Sequence, residues 1–113
     1  MAKVEITRSL FEEIEKKFKA RATAVFDFIE SAETHPRKGK ELGTVGAIVI
    51  KELRYEGFRF YFITDGYLLR YSAEKELVDL LLKFVRMSDK KHQQKAIEEI
   101  KHVLRTIGPS GLK

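Results

Sequence analysis

The chain has no cysteine and no tryptophan, and only two of its 113 residues are proline. Without thiols there is no disulfide framework, no Cys-ligated zinc or iron–sulfur site and no thiol nucleophile. No apolar run approaches the roughly 18–20 residues that a bilayer crossing needs. The opening stretch MAKVEITRSLFEEIEKK is acidic and amphipathic, unlike the basic-then-apolar order of a secretion signal. Repeats and low-complexity linkers are also missing. The expectation is one cytoplasmic domain over residues 1–113, with no membrane partner.

What is present is charge. Charged residues make up 35% of the chain and the formal net charge is +5. The excess is uneven: residues 1–34 carry net −1, 35–59 net +3, 60–82 net −2 and 83–105 net +4. Two separated basic segments become one anion-binding surface if the fold joins them. If it does not, each is an ordinary solvated face.

Periodicity supplies the elements. Lys3 to Thr7 alternates like a short strand. Ser9 and Glu12 have the spacing of a capping box, and a helical stripe of Phe11, Ile14, Phe18, Val25, Ile29 and Ala32 follows. That stripe permits one long helix or two helices broken near Lys19–Thr23. His35-Pro36 and Gly39 end it. Val45 to Leu53 reads as a strand, Tyr55-Glu56-Gly57 as a turn, and Phe58 to Thr64 as a second strand with its phenylalanines on one side. Asp65-Gly66 is a hairpin signal and Tyr67 to Tyr71 a short third strand. Leu77 to Arg86 fits a buried strand or a buried helix equally. Ser88 is a candidate cap for a final helix with Ala96, Ile97, Ile100, Val103, Leu104 and Ile107 on its apolar stripe, and Ser110–Lys113 is expected to fray.

Arginines carry the candidate chemistry. Arg54 and Arg59 flank a tight turn, and alternation puts Glu52 and Arg54 on one strand face. Guanidinium forks match phosphate oxygens and stay charged, so converging arginines can bind a phosphodiester and stabilise charge that develops on it. A surface ion pair of Arg54 with Glu52 or Glu56 is the plainer alternative. Lys51 has the parity of core residues Val49 and Leu53, so it must snorkel or sit at a bulge. His92 opens the last helix and becomes an acid–base candidate if that end faces Arg86. His35 and His102 read as surface residues.

The stretches His35–Leu42 and Lys51-Glu52-Leu53-Arg54-Tyr55-Glu56-Gly57-Phe58-Arg59-Phe60-Tyr61-Phe62 resemble the RelE/HigB toxin superfamily. Its members carry an L-R-x-x-G-[YF]-R-[LIV]-x-[YF] run preceded by a helical hairpin and a basic loop. Phe84–Lys90, leading into Gln93–Leu104, is similar to the phage-type HigB branch. The resemblance implies an α+β fold: an N-terminal helical hairpin on a twisted antiparallel sheet of three to five strands, with a C-terminal helix.

It also implies a cytoplasmic, ribosome-dependent mRNA endoribonuclease that needs no cofactor and no metal and is silenced by a cognate antitoxin. Arg59 and Arg86 then match the family's phosphate-contacting arginines, and Arg54 the first arginine of the run. Lys38, Lys40, Lys90 and Lys91 would add RNA-backbone contacts, and Tyr61 would stack on a base. One departure is plain: where members carry basic residues before the turn, this chain has Ile50 and Glu52. Glu52 is either a replacement general base or a structural partner of Arg54. A non-catalytic module on the same scaffold, binding a protein or nucleic acid as a gyrase-directed toxin or a viral regulator, is the alternative.

Overall fold

The most regular alternation in the chain builds the middle of a sheet. The protein is described here by a computed structural model covering residues 2–113. In chain order its elements are β1 Lys3–Ile6, α1 Arg8–Phe18, α2 Ala22–Glu30, β2 Lys40–Val45, β3 Ile48–Tyr55, β4 Phe58–Asp65, α3 Gly66–Tyr71, β5 Leu81–Ser88 and α4 Gln93–Thr106. The strands form one sheet in the order β1-β5-β4-β3-β2. All neighbours are antiparallel except β1 and β5, which run parallel, so the sheet is mostly rather than wholly antiparallel.

Alternation on β4 divides the core in two. Phe60 and Phe62 join Val49, Leu53, Leu82, Phe84 and Met87 under α1 and α2. Tyr61 and Ile63 join Ile50 and Val85 under Ala96, Ile100 and Leu104 of α4. The architecture is α+β, with helices on both faces of the sheet.

The N-terminal stripe is two helices. Phe11 and Phe26 stack with ring centroids 4.6 Å apart. Fifteen residues of continuous helix would separate them by about 22 Å, so the chain folds back on itself. The break is at Lys19, with φ 51 and ψ −115, followed by a 3-10 turn over Lys19–Arg21. The buried stripe of α1 is Leu10, Ile14 and Phe18, while Phe11 is 42% exposed against Phe26.

Several local expectations are corrected. Thr7, not Ser9, caps α1, its hydroxyl accepting from the Leu10 amide. Ser9 instead donates to the Lys113 carbonyl at 2.7 Å, and Leu112 is fully buried, so the tail is docked and not frayed. Val45 to Leu53 is not one strand. Gly46, at φ 58, turns the chain between β2 and β3. Tyr67–Tyr71 is helical because the Asp65 carboxylate accepts from the Leu68 amide and starts α3, leaving no hairpin at Asp65-Gly66. Leu77–Arg86 divides into a 3-10 segment, Glu74–Asp79, and β5. Asp89, not Ser88, caps the turn that leads into α4. No helix among the described residues is long and apolar enough to cross a membrane.

Candidate functional site

Register brings the candidate residues together. Lys40 pairs Glu52, Glu52 pairs Tyr61, and Tyr61 pairs Arg86, which makes one row across four strands. The next row is Arg54, Arg59 and Ser88. Directly opposed residues share a sheet face, so Arg54, Arg59 and Arg86 all lie on the face that α4 packs against. A register shift in β5 opposite Tyr61/Phe62 keeps both Val85 and Arg86 on that side. Two strand spacings and one row offset put Arg54 about 12 Å from Arg86, with Arg59 on the strand between them.

The three guanidinium groups are held differently. The Arg54 side chain is 56% exposed and donates through Nε to Glu52 Oε1 at 3.1 Å. Arg86 donates through Nε to Glu99 Oε1 at 2.7 Å and through Nη1 to the Val85 carbonyl. Arg59 is buried, and its Nη1 donates to the Gly57 carbonyl at 2.9 Å. Arg54 therefore keeps both terminal nitrogens, and Arg86 its Nη2, without partners among the described residues. Arg59 Nε and Glu52 Oε2 are buried without a hydrogen bond. Such atoms cost about 1–3 kcal/mol each.

Glu52 takes the pairing alternative. Its side chain is almost wholly buried, and its bonded oxygen faces Arg54. Tyr61 is a correction: it is fully buried, its hydroxyl 2.7 Å from Ser88 Oγ, and it has no ring face open for a base. Burial pushes its phenol above the usual range, and Glu52 adds to the shift.

Lys51 is buried; its pairing with β4 is regular, and the β2 register shifts beside its partner Glu41, between Glu41 and Gly43. Lys51 snorkels past the Phe62 ring to donate to the Arg37 carbonyl at 2.8 Å. Burial lowers its pKa, opposed by Glu41. Arg37 is spent on structure, clamping the Leu69 and Ser72 carbonyls and Glu74. Lys38 and Lys40 remain exposed and share a shallow depression with Glu52 and Arg54.

Arg86 also faces a deeper cleft of about 640 Å³ between α1 and α4. His92 lines it, so the sequence condition on that histidine, that its end of the helix face Arg86, is met. His92 Nδ1 lies 2.7 Å from Asp89 Oδ1. The hydrogen bond from His92 holds the Asp89 carboxyl below the usual aspartate range. A carboxylate only accepts, so Nδ1 carries the hydrogen and Nε2 is the atom left for exchange. Lys90 and Lys91 are exposed beside it.

Spacing alone did not single out Glu13, which lines the same cleft from α1. The signal present was weak: Ser9, Glu13 and Lys17 recur every four residues, a polar face that reads as plain surface until a second helix lies opposite. Among the described residues no three His, Cys, Asp or Glu side chains converge as metal ligands. No family model, no curated protein and no solved structure matches this chain.

Proposed function

We propose that the protein is a RelE/HigB-like toxin: a cytoplasmic, ribosome-dependent mRNA endoribonuclease paired with an antitoxin. One observation carries the reading. Arg54 and Arg59, paired across one hairpin, and Arg86, distant in sequence, stand in two adjacent rows on one sheet face. Unpaired terminal nitrogens on Arg54 and Arg86 are suited to the oxygens of a ribose-phosphate chain. The reaction is attack of a 2′-hydroxyl on the adjacent phosphate. The arginines stabilise the charge gathering on phosphorus, and His92 protonates the leaving 5′-oxygen.

A second reading has its own observation. Glu52 and Glu99 already occupy one edge of Arg54 and of Arg86, and Arg59 is buried. Arginines tied to carboxylates in this way are typical of a scaffold, and a non-catalytic binding module would need no more. One experiment separates the two. Wild type, Arg54→Ala and Arg86→Ala are induced in cells, and the 5′ ends of ribosome-bound mRNA are mapped. The ribonuclease reading expects new ends in wild type and a fall of about 10²-fold in either variant, the scale of losing one transition-state donor. Growth arrest with intact mRNA would leave only the binding module.

A further inference from the structure

The cleft beside Arg86 exists because β1 stops early. Its pairing with β5 ends at Ile6 and Phe84, and the chain then turns into α1. Residues Arg86 to Ser88 are left as an open strand edge with a helix on either side. Ser9, Glu13 and Lys17 of α1 face His92, Lys95 and Glu99 across it. Both sets recur at three or four residues, so each is one helix face.

The two glutamates in this cleft differ. Glu99 is committed to Arg86 at 2.7 Å. Glu13 has no ion pair and no hydrogen bond among the described residues, although Arg86 and Lys17 are near enough to act on it. It keeps contact with solvent at the cleft mouth, but the walls remove part of its hydration.

A 2′-hydroxyl cannot attack until something takes its proton. On the sheet face, Glu52 is buried and bonded to Arg54, and Glu99 is bonded to Arg86. The cleft, by contrast, holds an uncommitted carboxylate, a guanidinium with a free terminal nitrogen and an imidazole oriented by Asp89.

We propose that Glu13 is the proton acceptor for the attacking 2′-hydroxyl, a role that rests on the ribonuclease reading above. The O2′ proton passes to the Glu13 carboxylate as the O2′–P bond forms. The P–O5′ bond breaks, and the leaving oxygen takes the Nε2 proton of the His92 imidazolium. The products are a 2′,3′-cyclic phosphate and a 5′-hydroxyl. Proton exchange with water then restores both side chains.

α1 and α4 pack on opposite faces of the sheet, and Glu13, Arg86 and His92 line one cleft between the two helices. Glu13 is exposed, but partial desolvation in the cleft holds its carboxyl above the usual carboxylate range, against the lowering pull of Arg86 and Lys17 and with the help of Glu99. Asp89, His92 and Lys95 are the other charged or titratable groups lining the cleft. A base must be ionised, so cleavage falls as pH drops through the Glu13 pKa.

Single-turnover cleavage of mRNA on programmed ribosomes, followed against pH, tests this with purified wild type, Glu13→Gln and Glu13→Asp. Glu13→Gln is expected to cut about 10²-fold slower or worse, the usual loss on removing a general base. It should still bind ribosomes as wild type does, unfold at the wild-type urea concentration and lack the acid limb of the profile. Glu13→Asp should recover part of the rate and the limb. A Glu13→Gln rate within about 3-fold of wild type, well short of a general-base loss, would overturn the assignment and leave the ribonuclease standing. A slow Glu13→Gln that keeps the acid limb would overturn it as well. If wild type cuts nothing, reading and assignment fall together.

Discussion

The pair Arg54–Glu52 is lopsided. Glu52 is almost wholly buried, while more than half of the Arg54 side chain reaches water. Removing the arginine strands a buried carboxylate; removing the carboxylate's charge leaves a guanidinium that water can solvate. Breaking a fully buried pair costs about 3–5 kcal/mol, and the exposure of Arg54 argues for less. Arg54→Ala is therefore expected to lower unfolding stability by about 2–3 kcal/mol. Glu52→Gln keeps an oxygen for Arg54 Nε and should cost about 1 kcal/mol. Urea unfolding of both variants measures the difference. Equal losses would mean that Glu52 is solvated in a way its burial does not allow. At this scale sequence reading singled out Arg54 and Arg59 by guanidinium chemistry, visible in a residue name, and Arg86 by the resemblance. It did not reach Glu13, whose carboxylate differs from Glu12 or Glu15 only in what stands opposite.

Elements were legible where the local pattern and the tertiary demand agree. Phe58–Asp65 carries the unbroken apolar run Phe60–Ile63 because it is packed on both faces, and α4 shows its stripe because one side meets the sheet. β2 was hidden: KELGTV has a glycine in its middle and lies at the sheet edge, so no apolar alternation is required of it. α3 was misread because Tyr67 and Tyr71 favour strands, while one Asp65 oxygen bonded to the Leu68 amide outweighs them. The break between α1 and α2 was one of two alternatives that periodicity left open, since lysine has no preference for φ 51 with ψ −115. Such backbone costs a side-chain-bearing residue about 1–3 kcal/mol, and glycine adopts it freely. Against that, glycine adds about 0.4–1 kcal/mol of chain entropy to the unfolded state. Lys19→Gly should therefore raise stability by about 1 kcal/mol, seen as a higher urea midpoint with an unchanged slope. No gain would mean that the strain at Lys19 is already offset by its neighbours.

At the scale of the whole molecule the fold answers the question set by the charge distribution. The two basic segments, 35–59 and 83–105, become β2, β3 and the start of β4, and β5 and α4, and the sheet register lays Lys40, Arg54, Arg59 and Arg86 across one face. Of the acidic segment 60–82, Glu74, Glu76 and Asp79 lie on the 3-10 turn after α3, where Lys75 sits exposed. A surface joined by pairing in this way has a measurable signature. Each single-strand phosphate neutralised contributes about −0.7 to the slope of log K against log salt. Engagement of Arg54 and Arg86 alone gives a slope of about −1.4 for a short single-stranded RNA, and the double variant Lys38→Gln, Lys40→Gln tests whether the neighbouring depression extends the track. If it does, that variant shallows the wild-type slope by about 1.4, while Lys75→Gln leaves it unchanged. Fluorescence anisotropy over a salt series reads both. If Lys75→Gln shifted the slope as much as the paired variant, binding would follow net charge and not the arrangement of these rows. The join made by β3, β4 and β5 would then have no part in recognition, and the ribonuclease reading would lose the surface on which it stands.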